Sequence, residues 1–178
     1  MSGRILVGSH DGVYVVRFEG DVRVTLSGSF DHYVEVMLKD PTLQSVLVDL
    51  NDAIAIDSTS LGCLAKLSLQ VQKRRAKLPT LVCQSQDILR VLRNMGFEDV
   101  FAIVDERYQP DQSLVELPVP HDMSESAMRE KVIDAHKVLM SLNQDNAEAF
   151  KDLVLALEME SQQTDTSDLA ASQGASPA

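Results

Sequence analysis

Cysteine is scarce in this chain. Cys63 and Cys83 are the only two in 178 residues, and neither has a histidine close in sequence. That leaves no zinc spacing and no disulfide framework, and both read as small apolar core residues. Basic charge is short as well: 16 Lys and Arg face 27 Asp and Glu, a formal net charge of −11. Nucleic-acid phosphates and anionic lipid surfaces repel such a chain. Direct nucleic-acid binding is therefore a poor reading, and a protein partner a better one. No apolar run approaches the roughly 18 residues of a membrane span, and Met1-Ser2-Gly3-Arg4-Ile5 lacks a signal peptide's charged-then-apolar layout, so a cytoplasmic protein is expected. Gly-x-Ser-x-Gly, Gly-x-Gly-x-x-Gly and P-loop patterns are all missing. His10, His32, His121 and His136 sit in no recognisable partner motif. Asp49 ends an apolar run as a receiver aspartate does, but only Asp11 stands where paired acidic residues would be needed. No enzyme, no cofactor and no metal site is expected.

The hydrophobic content, 44%, suffices for one well-buried domain and an appendage. Arg4 to Val7 and Val13 to Glu19 are β-rich runs joined through Asp11-Gly12, a hairpin signal. Phe30, Tyr33, Val34, Met37 and Leu38 have helical spacing, which Asp40-Pro41 stops. Ser45 to Leu50 reads as a central strand covered on both faces, followed by a loop from Asn51 to Ile56. Asp57-Ser58-Thr59-Ser60 are N-cap residue types, and a helix is expected from about Thr59 to Ala76. Its polar stripe is Lys66, Gln70, Lys73 and Lys77, and Lys73-Arg74-Arg75 suits the C-terminal end of the dipole. Thr80 to Cys83 is a strand, Gln86 to Met95 a helix closed by Gly96, and Val100 to Val104 the last strand. The order β-β-α-β-α-β-α-β predicts an α/β domain with a mixed sheet and crossover helices over residues 1–106.

Beyond it, Pro110, Pro118 and Pro120 mark 107–123 as a linker. Met128, Val132, Ala135, Leu139 and Leu142 form one apolar stripe; Ala147, Phe150, Val154 and Leu157 form another after Asn143-Gln144-Asp145-Asn146. The spacing predicts an αα-hairpin over 124–160, whose apolar faces must bury against each other, the sheet domain or a partner. Residues 161–178, rich in Ser, Thr, Gln, Asp and Ala, read as a disordered tail.

The most informative segment is Val46-Leu47-Val48-Asp49-Leu50 with Ile56-Asp57-Ser58-Thr59-Ser60-Leu61-Gly62. A hydroxyl at a helix N-terminus has free N–H groups and the positive dipole end nearby, so a phosphate there is well tolerated. On the residues alone, plain capping by Asp57, Ser58 or Thr59 is the simpler reading, and a modified serine stays open beside it. The segment resembles the signature of STAS-domain anti-sigma factor antagonists, Asp-Ser-Ser/Thr-x-Leu-Gly after a strand. Phe18-Glu19-Gly20-Asp21-Val22 resembles the family's strand-ending step, Leu47-Val48-Asp49-Leu50 its central strand, and Val91 to Phe97 with Phe101 its last helix and strand. Two positions depart from the pattern: Arg23 stands where an aspartate is common, and Ser60 replaces a glycine. The C-terminal helical extension lies outside the minimal domain.

The resemblance implies a phosphorylation-gated protein-binding switch. Unmodified, the chain would sequester an anti-sigma factor with serine kinase activity, which phosphorylates Ser58; a PP2C-type phosphatase would reset it. Asp57, Thr59, Ser60, Asp21 and Arg23 are the implied contact residues, and Thr59 or Ser60 could compete as the modified residue. In organisation the chain is similar to antagonists in pathways controlling motility and biofilm growth. The alternative is a STAS scaffold that is never phosphorylated, a constitutive protein-binding or ligand-binding module. The C-terminal helices are either a cap on the domain or a surface for a second partner.

Overall fold

The structure is a computed structural model that describes residues 1–119 and 122–173. Strands β1 (Arg4–His10) and β2 (Val13–Val22) form an antiparallel hairpin. Its turn residues Asp11 and Gly12 have φ of 48° and 78°, the positive values that an Asp-Gly turn supplies. A 3₁₀ turn at Val24–Leu26 leads into helix α1 (Ser27–Lys39). Strand β3 (Ser45–Ile56), helix α2 (Ser58–Arg75), strand β4 (Thr80–Val82), helix α3 (Gln86–Asn94) and strand β5 (Ala102–Val104) follow. Gly96 (φ 80°) and Ala76 (φ 51°) take the left-handed conformation just past α3 and α2, which turns the chain back toward the sheet. The mixed α/β sheet, which a short strand β6 (Val115–Glu116) completes, has the order β5-β4-β3-β2-β1-β6, with β2 through β5 parallel.

Three expectations are corrected. Asn51 to Ile56 is no loop but the second half of β3, paired in parallel with Glu19 to Val22 of β2. Asn51-Asp52 reads locally as a turn, yet the long β2 gives its backbone ladder partners, and tertiary pairing wins. The stretch 107–123 contains strand β6 (Val115–Glu116), which adds antiparallel to β1 and covers that edge. Residues 161–173 are not a disordered tail: helix α4 (Glu125–Leu142) is followed by helix α5 (Gln144–Gln173). The rest of the expected tail, 174–178, lies outside the described residues. Extending an existing helix needs no new nucleus. Thr164, Thr166 and Ser167 also donate their hydroxyls to the carbonyls of Glu160, Gln162 and Gln163.

The core lies between the sheet and its helices, with Val16, Val48, Leu50, Leu64, Leu81, Leu92 and Phe97 fully buried. One ion pair is built into it. Asp49 is 1% exposed and accepts from Arg17 Nε at 2.9 Å. Its other oxygen accepts from the backbone N–H and the side chain of Asn51 at 3.0 and 2.9 Å. Arg17 Nη2 donates onward to the carbonyl of Tyr108 at 3.2 Å, so the segment after β5 is tied to the domain. A fragment ending at residue 119 should therefore melt cooperatively. One ending at 106 loses β6 and the Tyr108 carbonyl, and should be less stable by about 1–3 kcal/mol, the cost of orphaned polar groups. Equal denaturant midpoints for the two fragments would show that the added segment contributes nothing.

Candidate functional site

The site forms where β2 and β3 end side by side, with Val22 paired to Ile56. Asp57 is the N-cap of α2. Its Oδ1 accepts from the Ser60 N–H at 2.8 Å and its Oδ2 from the Val24 N–H at 2.7 Å. Its own N–H donates to the Val22 carbonyl at 3.1 Å. One aspartate thus fixes both the start of α2 and the exit of β2, and the capping expected of it is observed. Ser58 is the first residue of the helix and is half-buried. Thr59 and Ser60 point inward, 5% and 6% exposed, so in this conformation neither offers a hydroxyl to a partner. Asp21 and Arg23 sit on the exposed lip of the same end, with Arg23 Nε 2.8 Å from Asp21 Oδ1; they form a close charge pair rather than an aligned hydrogen bond.

A residue 78 positions away completes the site. Ser58 Oγ lies 2.8 Å from His136 Nε2. His136 Nδ1 lies 2.6 Å from the Val132 carbonyl. A carbonyl can only accept, so Nδ1 carries a proton. In the neutral ring Nε2 is then the acceptor for the Ser58 hydroxyl. The imidazole is 2% exposed and its edge meets Phe150 of α5, with ring centroids 4.9 Å apart. An imidazole paired with a hydroxyl can also activate a nucleophile, but here it arrives on the element that covers the serine.

That cover is close. Gly62 shares a helix face with Ser58, four residues on, and a Cβ built on it would stand 2.3 Å from the Ala135 carbonyl oxygen and 2.7 Å from the Ala135 Cβ. Only glycine lets α4 approach this near. Thr59 through Ala65 is buried without a break, as a helix covered on all sides must be. At the rim, Lys131 pairs with Asp31 of α1. At the hairpin turn, Asn143 caps α5 by accepting from the Asn146 N–H at 2.8 Å. Asn146 Nδ2 donates to the carbonyls of Met95 and Leu139, each at 2.9 Å. Among α1, α2 and α4 lies a cavity of about 230 Å³, floored by Cys63. Burial pushes the Cys63 thiol up to about 12.

Sequence reasoning placed Asp57 and Ser58 at a helix start but missed His136, Gly62 and Asn146. A signal for His136 was present. It falls on the stripe of Val132 and Leu139, and a polar ring on a buried stripe needs a partner. Among the described residues no cluster of metal-ligating side chains forms, and no helix is long and apolar enough to cross a membrane.

The family model of the STAS domain matches residues 4–109, ending before β6 and the helical hairpin. An anti-sigma factor antagonist from Mycobacterium paratuberculosis is structurally similar, with a TM-score of 0.49 and 20% identity over 59% of this chain and 87% of that one. The anti-sigma factor antagonist SpoIIAA in its unphosphorylated form gives a TM-score of 0.49 and 12% identity over 58% of this chain and 89% of that one. No curated protein sequence matches the chain.

Proposed function

Because this chain belongs to the STAS domain family, we propose that it is an anti-sigma factor antagonist whose binding to a kinase-type anti-sigma factor is gated by phosphorylation of Ser58. The observation that carries the reading is the position of Ser58: first residue of α2, directly after the Asp57 cap, with its side chain outside the core while Thr59 and Ser60 point into it. Of the hydroxyls in this turn, Ser58 is the one a kinase could reach without unfolding α2, once α4 has moved aside. The charged lip of Asp21 and Arg23 and the Asp57–Ser58 turn would form the contact. A phosphate adds about −1.5 to −2 charges there, enough to break a contact made for a neutral hydroxyl. A PP2C-type phosphatase would restore binding, and the output is a sigma factor programme such as motility or biofilm growth.

A second reading has its own observation. The Ser58 hydroxyl already has a partner in His136, as a purely structural serine would, which fits a scaffold that is never modified. Pull-downs with Ser58→Ala and Ser58→Asp baits, followed by incubation of the wild-type chain with the recovered kinase and ATP and intact mass, separate the two. Phosphate on Ser58 and partner loss with the Asp bait support the switch. Identical partners on both baits with no mass gain support the scaffold, and phosphate mainly on Thr59 or Ser60 would overturn the site.

A further inference from the structure

We propose that the helical hairpin of α4 and α5 is an intramolecular competitor for the Ser58 face, so that a docked hairpin and a phosphate on Ser58 exclude each other. The proposal deepens the switch reading and uses its modification site, but the competition itself can be tested without any kinase.

Three features of the seat point this way. The contact is aimed at the switch residue: His136 takes the Ser58 hydroxyl, and Ala135 rests on Gly62, which shares a helix face with Ser58. A partner that docks over this face and α4 cannot occupy it together. The seat is also tight, since even a methyl group at Gly62 would collide with the α4 backbone. A phosphoryl group on Oγ must displace the imidazole, whose ring is pinned between the Val132 carbonyl and Phe150. Finally, the two helices of the hairpin have contacts with each other that do not depend on the domain. Val154 and the ring of Phe150 pack within the hairpin, and Lys137–Glu158 and Arg129–Glu160 bridge its helices outside. Its polar ties to the domain are Lys131–Asp31, Ser58–His136 and Asn146 to Met95, and its apolar tie is the seat itself, where Ala135 and Leu139 join the domain's core. The STAS match ends at residue 109, so the domain's own topology does not require the hairpin.

Release of the hairpin would strip the α4 wall from the cavity over Cys63, which makes that thiol a native reporter. Cys83, fully buried after β4, serves as the internal reference. The full-length chain is prepared in four forms: wild type, with phosphoserine installed at position 58 by codon reassignment, Gly62→Leu and Ala135→Glu. Iodoacetamide labelling of Cys63 is followed by peptide mass, and amide exchange is followed over 133–139. The phosphoserine form and both wedge variants should label Cys63 at least about tenfold faster than wild type, corresponding to about 1.4 kcal/mol toward the open form. Cys83 should stay at its wild-type rate. Ala135→Glu lies outside the sheet domain, so it opens the hairpin even if Gly62→Leu perturbs α2. If the wedges open the hairpin but phosphoserine labels at the wild-type rate with amides 133–139 still protected, the phosphate is accommodated beneath α4 and the proposal fails. If none of the forms labels faster, Cys63 is not under a removable cover and the proposal fails as well. Failure to find phosphate on Ser58 in cells would sink the switch reading and leave this competition intact.

Discussion

Ser58→Asp should weaken binding of a kinase-type anti-sigma factor by about 100-fold or more, about 2.7 kcal/mol, while leaving the sheet domain's stability level. The two halves of the expectation have different causes. Within the domain, a carboxylate at the first residue of α2 meets the positive end of the helix dipole, worth about 0.3–1 kcal/mol in its favour. At the contact, the same carboxylate stands next to Asp57, whose two oxygens already hold the Ser60 and Val24 amides and cannot turn away. Aspartate carries about one charge where phosphoserine carries about 1.5–2, so the genuine phosphoprotein should lose more. Ser58→Ala separates the switch from the hairpin. It loses the bond to His136 without gaining charge, so it should bind the partner at least as tightly as wild type and no longer respond to ATP. Calorimetric titration with the partner and thermal melting read both halves. Binding of Ser58→Asp at wild-type affinity, matched by the phosphorylated chain, would remove charge at Ser58 as the gate. A loss that follows a collapse in melting temperature would make the serine structural.

Arg17→Ala should have the largest effect on stability, a loss of about 3–5 kcal/mol, because it leaves a buried carboxylate without its counter-charge. Asp49 is 1% exposed and stands on the central strand β3, and Arg17 reaches it from β2. The desolvation of both charges is already incurred in the fold, so removing one partner uncovers the full cost of the other. Replacing both, with Arg17→Met and Asp49→Leu together, should cost less than Arg17→Ala alone, since no lone charge then remains. Chemical denaturation of the three proteins decides this. A single variant within about 1 kcal/mol of wild type would mean that the pair behaves like an exposed one.

Most of the sheet domain was legible locally. Asp11-Gly12, the apolar run from Ser45 to Leu50 and the hydroxyl cluster after Ile56 each specify their own geometry within a few residues, and the hairpin turn, the central strand and the α2 cap follow. The errors lie where a distant strand supplied what local sequence did not. Asn51 to Ile56 extends β3 because β2 runs beside it, and Val115–Glu116 becomes a strand because the edge of β1 was open.

By itself, the sequence determined that a serine stands at a helix start and that two amphipathic helices follow the domain. An apolar stripe states that a face must be covered; it carries no information on what covers it, because burial is not directional. Only the tertiary structure decided that α4 lies on α2 and that His136 meets Ser58 across 78 positions. The physical reason is shape: the missing side chain of Gly62 leaves a depression into which Ala135 fits, and once α4 is seated there the polar groups of Ser58 and His136, taken out of water, must satisfy each other.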